Sequence, residues 1–135
     1  MNLLLDTHAF LWFISDDASL SVAARAAIVD AESQVWLSAA SAWEITIKFG
    51  LGKLPLPEEP DRFIPAMRER AGIDLLPIGE AEACQIHKLP PLHRDPFDRI
   101  LVAQAACHGL AIVTDDAWAT DGRRLTRRTR IRSMK

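Results

Sequence analysis

Long apolar runs are missing from this 135-residue sequence. Nothing in it approaches the roughly 20 consecutive apolar residues that a membrane-spanning helix requires. Cysteine is almost absent. Cys84 and Cys107 stand far apart and neither belongs to a C-x-x-C pair, so zinc-ribbon and dithiol redox readings lose their basis. Both fall in Ala-containing, helix-like segments and read as reduced core thiols. Histidine is scattered over positions 8, 87, 93 and 108, a poor basis for a zinc site. No basic segment precedes the first apolar stretch, and Asp6 interrupts that stretch early. A secretory leader is therefore not expected, and the expected location is cytoplasmic. No G-x-x-x-x-G-K loop and no G-x-S-x-G elbow occurs, which removes P-loop NTPases and serine hydrolases.

What remains is an ordinary globular composition, 49% hydrophobic and 25% charged, at a length that suits one domain. The net charge of −2 conceals an asymmetry. Residues 123–135, RRLTRRTRIRSMK, hold seven basic side chains and no acid, leaving nine basic and 18 acidic residues in the remainder. An acidic body with a basic end points to a polyanion or an acidic partner near the C-terminus. A solvated tail is the competing explanation.

Strand-like and helix-like segments alternate along the chain. LLL at 3–5 is a short apolar strand, followed by a helix over about Ala9 to Ile14 and a second over Ser21 to Ala31. VWLSA at 35–39 is β-branched and aromatic, hence a strand. In SAWEITIKFG the spacing Ser41-x-x-Glu44 matches a capping box at a helix start, with Gly50 or Gly52 closing the helix. Prolines 55, 57, 60 and 65 mark a loop and then a helix start near Asp61. IDLLPI at 73–78 reads as a strand and EAEACQIHKL as a helix. Asp95 is placed to cap a helix with Pro96 at its first position, and Gly109 to end it before the strand LAIVT at 110–114. Strands separated by helices predict an α/β fold, a three-layer α/β/α sandwich around a parallel sheet. In such sheets ligands bind beyond the carboxyl ends of the strands.

Four acids occupy that edge. Asp6 ends the first strand, and Asp116 follows LAIVT. Glu44 and Asp98 lie in the expected first turns of two helices. Singly, each has a simpler explanation. Asp6 and Asp116 serve as turn formers, Glu44 as a capping glutamate, and Asp98 as a partner for the helix dipole. Together they predict an acidic pocket, whose like charges need compensation. A hard divalent cation supplies it: Mg²⁺ takes oxygen ligands and keeps several waters, and Mn²⁺ accepts similar ligands. Such a site suits phosphodiester chemistry. Lys48, four residues after Glu44, predicts an i,i+4 ion pair. His8 is placed for a phosphate contact or a local hydrogen bond. Trp12, Trp36 and Trp43 are expected in the core.

The segments LLLDTHAFLW, LSAASAWEITIKFGLGKL, HRDPFDRILVAQA and LAIVTDD, in this order and spacing, closely resemble the PIN-domain family. More narrowly they are similar to VapC-type ribonuclease toxins of toxin–antitoxin pairs. The resemblance runs from residue 3 to residue 116. It implies a Mg²⁺- or Mn²⁺-dependent endoribonuclease that cleaves RNA to a 3′-hydroxyl and a 5′-phosphate. Carried over residue by residue, the family's acidic quartet falls on Asp6, Glu44, Asp98 and Asp116, with Asp6 and Asp98 as principal metal ligands. The family pattern T-x-D selects Asp116 over Asp115. The resemblance also implies a homodimer and a cognate antitoxin whose C-terminal segment blocks the pocket. On this basis residues 1–122 are the nuclease domain, and 123–135 a basic tail with at most a weak last strand. Two other functions compete. An aspartate-dependent phosphotransferase would use Asp6 as nucleophile, although the second acid such enzymes want two residues later is here His8. A catalytically inactive RNA- or protein-binding module would not need the intact quartet.

Overall fold

Leu3, Leu4 and Leu5 are all completely buried, which places their strand in the middle of a sheet covered on both faces. The computed structural model describes residues 1–89 and 95–114 and the backbone of a last strand at 130–133. The elements are β1 (Asn2–Leu5), α1 (Thr7–Ile14), α2 (Val22–Val29), β2 (Gln34–Ser38), α3 (Ala39–Gly50), α4 (Pro60–Arg70) and β3 (Asp74–Leu76). Then come α5 (Glu80–Gln85), a 3₁₀ turn (Ile86–Lys88), α6 (Pro96–His108), β4 (Ala111–Thr114) and β5 (Arg130–Ser133).

The sheet order is β3-β2-β1-β4-β5. Four strands are parallel, and β5 joins β4 antiparallel, with Thr114 opposite Arg130 and Ala111 opposite Ser133. The period of two along β1 and β2 splits the core. Leu3, Leu5, Val35 and Leu37 face Phe10, Ala24, Ile28, Ile45 and Ile64 from α1 to α4. Leu4 faces the other way, with Leu101, Ala105 and Ile112, and Trp36 packs against that second cluster. Helices on both faces of a parallel sheet give the expected three-layer α/β architecture.

Several expected boundaries hold. Ser21 caps α2 through the Ala24 amide at 3.1 Å. Asp95 caps α6, with Pro96 behind it. Gly109 ends α6 in the left-handed conformation, φ 65°, where a side chain would be strained. Others move. β3 covers only 74–76, and α1 starts two residues earlier than expected because Asp6 itself caps it. The capping box at Ser41 does not form. α3 starts at Ala39 under a Ser38 cap, Ser41 is fully buried inside the helix, and Glu44 is past the first turn. Cys84 and Cys107 are free and exposed, not core thiols. Trp43 is 62% exposed rather than buried, and Trp12 and Trp36 are half-buried.

Far from the carboxyl edge, α5 is fastened to α6 by Glu82, whose Oε1 lies 2.5 Å from His108 Nε2. Burial pushes the Glu82 carboxyl up, but hydrogen bonds from His108, the Gly79 amide and Gln104 outweigh it and hold the group below its ordinary value. The resulting stability is present at neutral pH and is lost as acid protonates the folded carboxylate. No helix among the described residues is long and apolar enough to cross a membrane.

Candidate functional site

The strand order contains one reversal. From β1 the chain steps outward to β2 and β3, then returns to place β4 on the other side of β1. The carboxyl ends of β1 and β4 therefore flank the crevice where open α/β sheets bind ligands. The two ends are tied together: the Asp6 amide donates to the Val113 carbonyl at 2.9 Å. A cleft of about 820 Å³ opens at this edge.

Asp6 is only 7% exposed. Its backbone is extended, and its Oδ1 accepts from the Ala9 amide at 2.7 Å, so one carboxylate both starts α1 and enters the cleft. Glu44 reaches the cleft from the middle of α3. Thr7 Oγ1 donates to its Oε1 at 2.6 Å, and Lys48 Nζ donates to its Oε2 at 2.9 Å. Both oxygens are thus fixed, one by the helix that follows Asp6 and one by the expected i,i+4 partner. Asp98 enters from the first turn of α6, and Asp95, whose Oδ1 accepts from the Phe97 amide at 2.8 Å, lines the cleft beside it. The structure brings together three of the four sequence-predicted acids. The fourth, Asp116, lies outside the described residues, two positions beyond the end of β4.

Sequence reasoning missed Asp17, a further carboxylate lining the cleft. The Ser19 amide donates to its Oδ1 at 2.8 Å, and the Ser19 amide and hydroxyl together hold its carboxyl below the ordinary value. The sequence marks only a turn there, an Asp16-Asp17 pair just beyond the Ser15 cap of α1, where Asp16 adopts φ 54°, a conformation that Asp tolerates better than most residues. The apolar lining consists of Leu11, Trp12 and Leu54, and His8 adds a ring.

The donor set is oxygen throughout apart from His8 and Lys48, which suits Mg²⁺ or Mn²⁺ and not a thiophilic metal. No group of three or more His, Cys, Asp or Glu among the described residues is arranged to enclose a metal ion. That still fits a cation which takes one or two carboxylates and keeps most of its water. Asp6 and Asp98 bring two carboxylates to the cleft from two different elements, the number such a cation takes. Glu44, clamped on both oxygens, is the better anchor for a water.

Ribonuclease VapC16 of Mycobacterium tuberculosis (strain ATCC 25618 / H37Rv) is 44% identical over 57 residues, which are 42% of this chain. The match spans only 40% of that relative's length. Among solved structures, the crystal structure of VapBC2 from Rickettsia felis bound to a DNA fragment from their promoter superposes with a TM-score of 0.66. It covers 93% of this chain and 96% of that one at 14% identity, a likeness of fold alone. A family profile described as PIN domain matches residues 3–119, which take in all the described helices and, but for Asn2, strands β1 to β4. The chain belongs to the PIN domain family.

Proposed function

We propose that this protein is a divalent-metal-dependent endoribonuclease acting as the toxin of a toxin–antitoxin pair. The observation that carries the reading is the meeting of Asp6, Glu44 and Asp98, from three separate elements, in one open cleft at the sheet's switch point. Asp6 and Asp98 would hold Mg²⁺ or Mn²⁺, with Glu44 and Asp116 completing the pocket directly or through water. When bound, the cation neutralises the phosphate and lowers the pKa of the attacking water.

The chain's own residues do the rest. The Ala9 amide fixes the Asp6 carboxylate, so little reorganisation is needed when substrate arrives. Thr7 and Lys48 hold Glu44 in one orientation, and each carboxylate oxygen keeps a further lone pair that can accept from water. The Lys48 ammonium also offsets part of the acidic charge that would repel an RNA phosphate. Water then attacks the phosphodiester in line, leaving a 3′-hydroxyl and a 5′-phosphate. RNA cleavage should require added Mg²⁺ or Mn²⁺, stop with EDTA, and fall at least about 100-fold in Asp98→Asn. The same substitution should relieve growth arrest on expression. Cleavage that persists undiminished in EDTA would remove the metal from the mechanism.

Two protein partners complete the proposal: an antitoxin that places a basic side chain in the acidic cleft, and a second copy of the chain. For the second copy, Trp43 and Ile47 share one face of α3 and the C-cap residue Leu51 follows them at the same spacing; they are 62%, 39% and 64% exposed. Trp43 also meets the Phe97 ring edge-on, 5.3 Å between centroids. Trp43→Asp is expected to convert a dimer to a monomer in sedimentation equilibrium. A dimer that survives the substitution would place the interface elsewhere.

A further inference from the structure

Phosphodiester hydrolysis needs charge and water at the cleft, yet one side of α1 brings rings there. His8 and Trp12, one helical turn apart, both line the cleft that contains Asp6 and Asp98. Their ring centroids are 5.8 Å apart and their planes are tilted by 48°. They do not stack flat on each other, so neither ring covers the whole face of the other. His8 is exposed and Trp12 half-buried. The core side of the same helix is supplied by Ala9 and Phe10, both fully buried. Trp12 therefore serves two surroundings. It packs against the large core cluster and also borders the open cleft.

We infer that His8 and Trp12 form a stacking platform for one unpaired RNA base next to the scissile phosphate. This rests on the proposed ribonuclease activity and adds to it two residues that contact a base. Aromatic and imidazole rings bind splayed-out bases through their faces, with little regard to base identity. A base inside a duplex has both faces covered by its neighbours and cannot use the platform. Phosphate contacts alone would not make that distinction, because they read backbone charge. The platform thus adds to the cleft a base contact that carries no sequence code.

The test uses a short unstructured RNA, copies with an abasic nucleotide at each successive position, and the same RNA annealed to its complement. Cleavage kinetics are measured for the wild type, His8→Ala and Trp12→Leu. Binding is measured by fluorescence anisotropy in Mg²⁺ with the Asp98→Asn protein, alone and combined with each platform variant. One abasic position should raise KM about 10-fold in the wild type, the size expected for losing one base stack. In Trp12→Leu and His8→Ala the same abasic change should add little, because the base and the ring act as a pair. The duplex should bind more weakly than the single strand to Asp98→Asn, and equally weakly once the platform is also changed. An abasic penalty as large in both variants as in the wild type would overturn the platform while leaving the ribonuclease reading intact. So would wild-type affinity in both variants, which would reserve the rings for a protein partner. Base-dependent binding through His8 and Trp12 with no cleavage at all would keep the platform and overturn the ribonuclease reading. His8→Ala guards against misfolding of Trp12→Leu, since its ring is exposed.

Discussion

Asp6→Asn is expected to lower RNA cleavage by about 1,000-fold, equivalent to roughly 4 kcal/mol of transition-state stabilisation, while leaving the protein folded. The two roles of Asp6 make the comparison with Asp6→Ala informative. As an N-cap, Asp6 accepts the Ala9 amide through Oδ1, and Asn performs that task about as well. As an anion 7% exposed among other carboxylates, it has no neutral equivalent. Asp6→Ala should lose the same activity and also about 1 kcal/mol of stability from the cap, which is a drop of about 4 °C in Tm for a chain of this size. Mg²⁺ sharpens the distinction. A ligand that binds only the folded state raises its stability, so added Mg²⁺ should raise the Tm of the wild type and leave Asp6→Asn unmoved. In metal-free buffer, Asp6→Asn should be at least as stable as the wild type, because removing one charge relieves repulsion within the pocket. Full cleavage by Asp6→Asn would show that the acids of this cleft do not carry the chemistry.

The sequence announced Asp6 because an apolar run of strand length stopped at a carboxylate, and it announced Asp98 because Asp95 and Pro96 marked the helix start before it. Both are local signals, and both acids line the cleft. Glu44 does line the cleft, but it gets there by another route than the expected capping box. Ser38 and Ser41 stand three residues apart, and either could cap a helix. What decides between them is the register of β2, where Ser38 still pairs with Leu76 of the next strand. The helix must begin immediately after it, which buries Ser41 and carries Glu44 beyond the first turn. Register is a tertiary quantity that spacing does not contain. The same holds for the misplaced cysteines and Trp43: an apolar residue on a helix is buried only if another element covers that face. Asp17 escaped notice because it belongs to a turn whose closeness to Asp6 depends on how α1 packs. The fold class itself was readable, since a regular alternation of strands and helices admits few arrangements.

That packing rests heavily on Phe10. Its side chain is fully buried among Leu3, Leu5, Ile45 and Val113 in the larger core cluster, and it sits between His8 and Trp12 on the helix that carries Thr7 and is capped by Asp6. Phe10→Ala should remove about 3–5 kcal/mol of stability through lost burial and the cavity left behind. Against a typical total of about 5–15 kcal/mol, such a loss leaves little margin. Urea unfolding should show a large fall in midpoint with an unchanged slope, since the surface exposed on unfolding stays nearly the same. Val22→Ser is the matched control. Val22 is equally apolar by type but 87% exposed at the start of α2, and its replacement should change stability by no more than about 0.5 kcal/mol. Cleavage connects stability to the site. Phe10 touches neither RNA nor metal in the proposed mechanism, yet α1 supplies the Ala9 amide that fixes Asp6 and the Thr7 hydroxyl that holds Glu44. If the cleft is built by the docking of α1, Phe10→Ala should lower kcat more than its folded fraction at the assay temperature accounts for. If activity follows the folded fraction alone, strand β1 holds Asp6 in place without help from the helix.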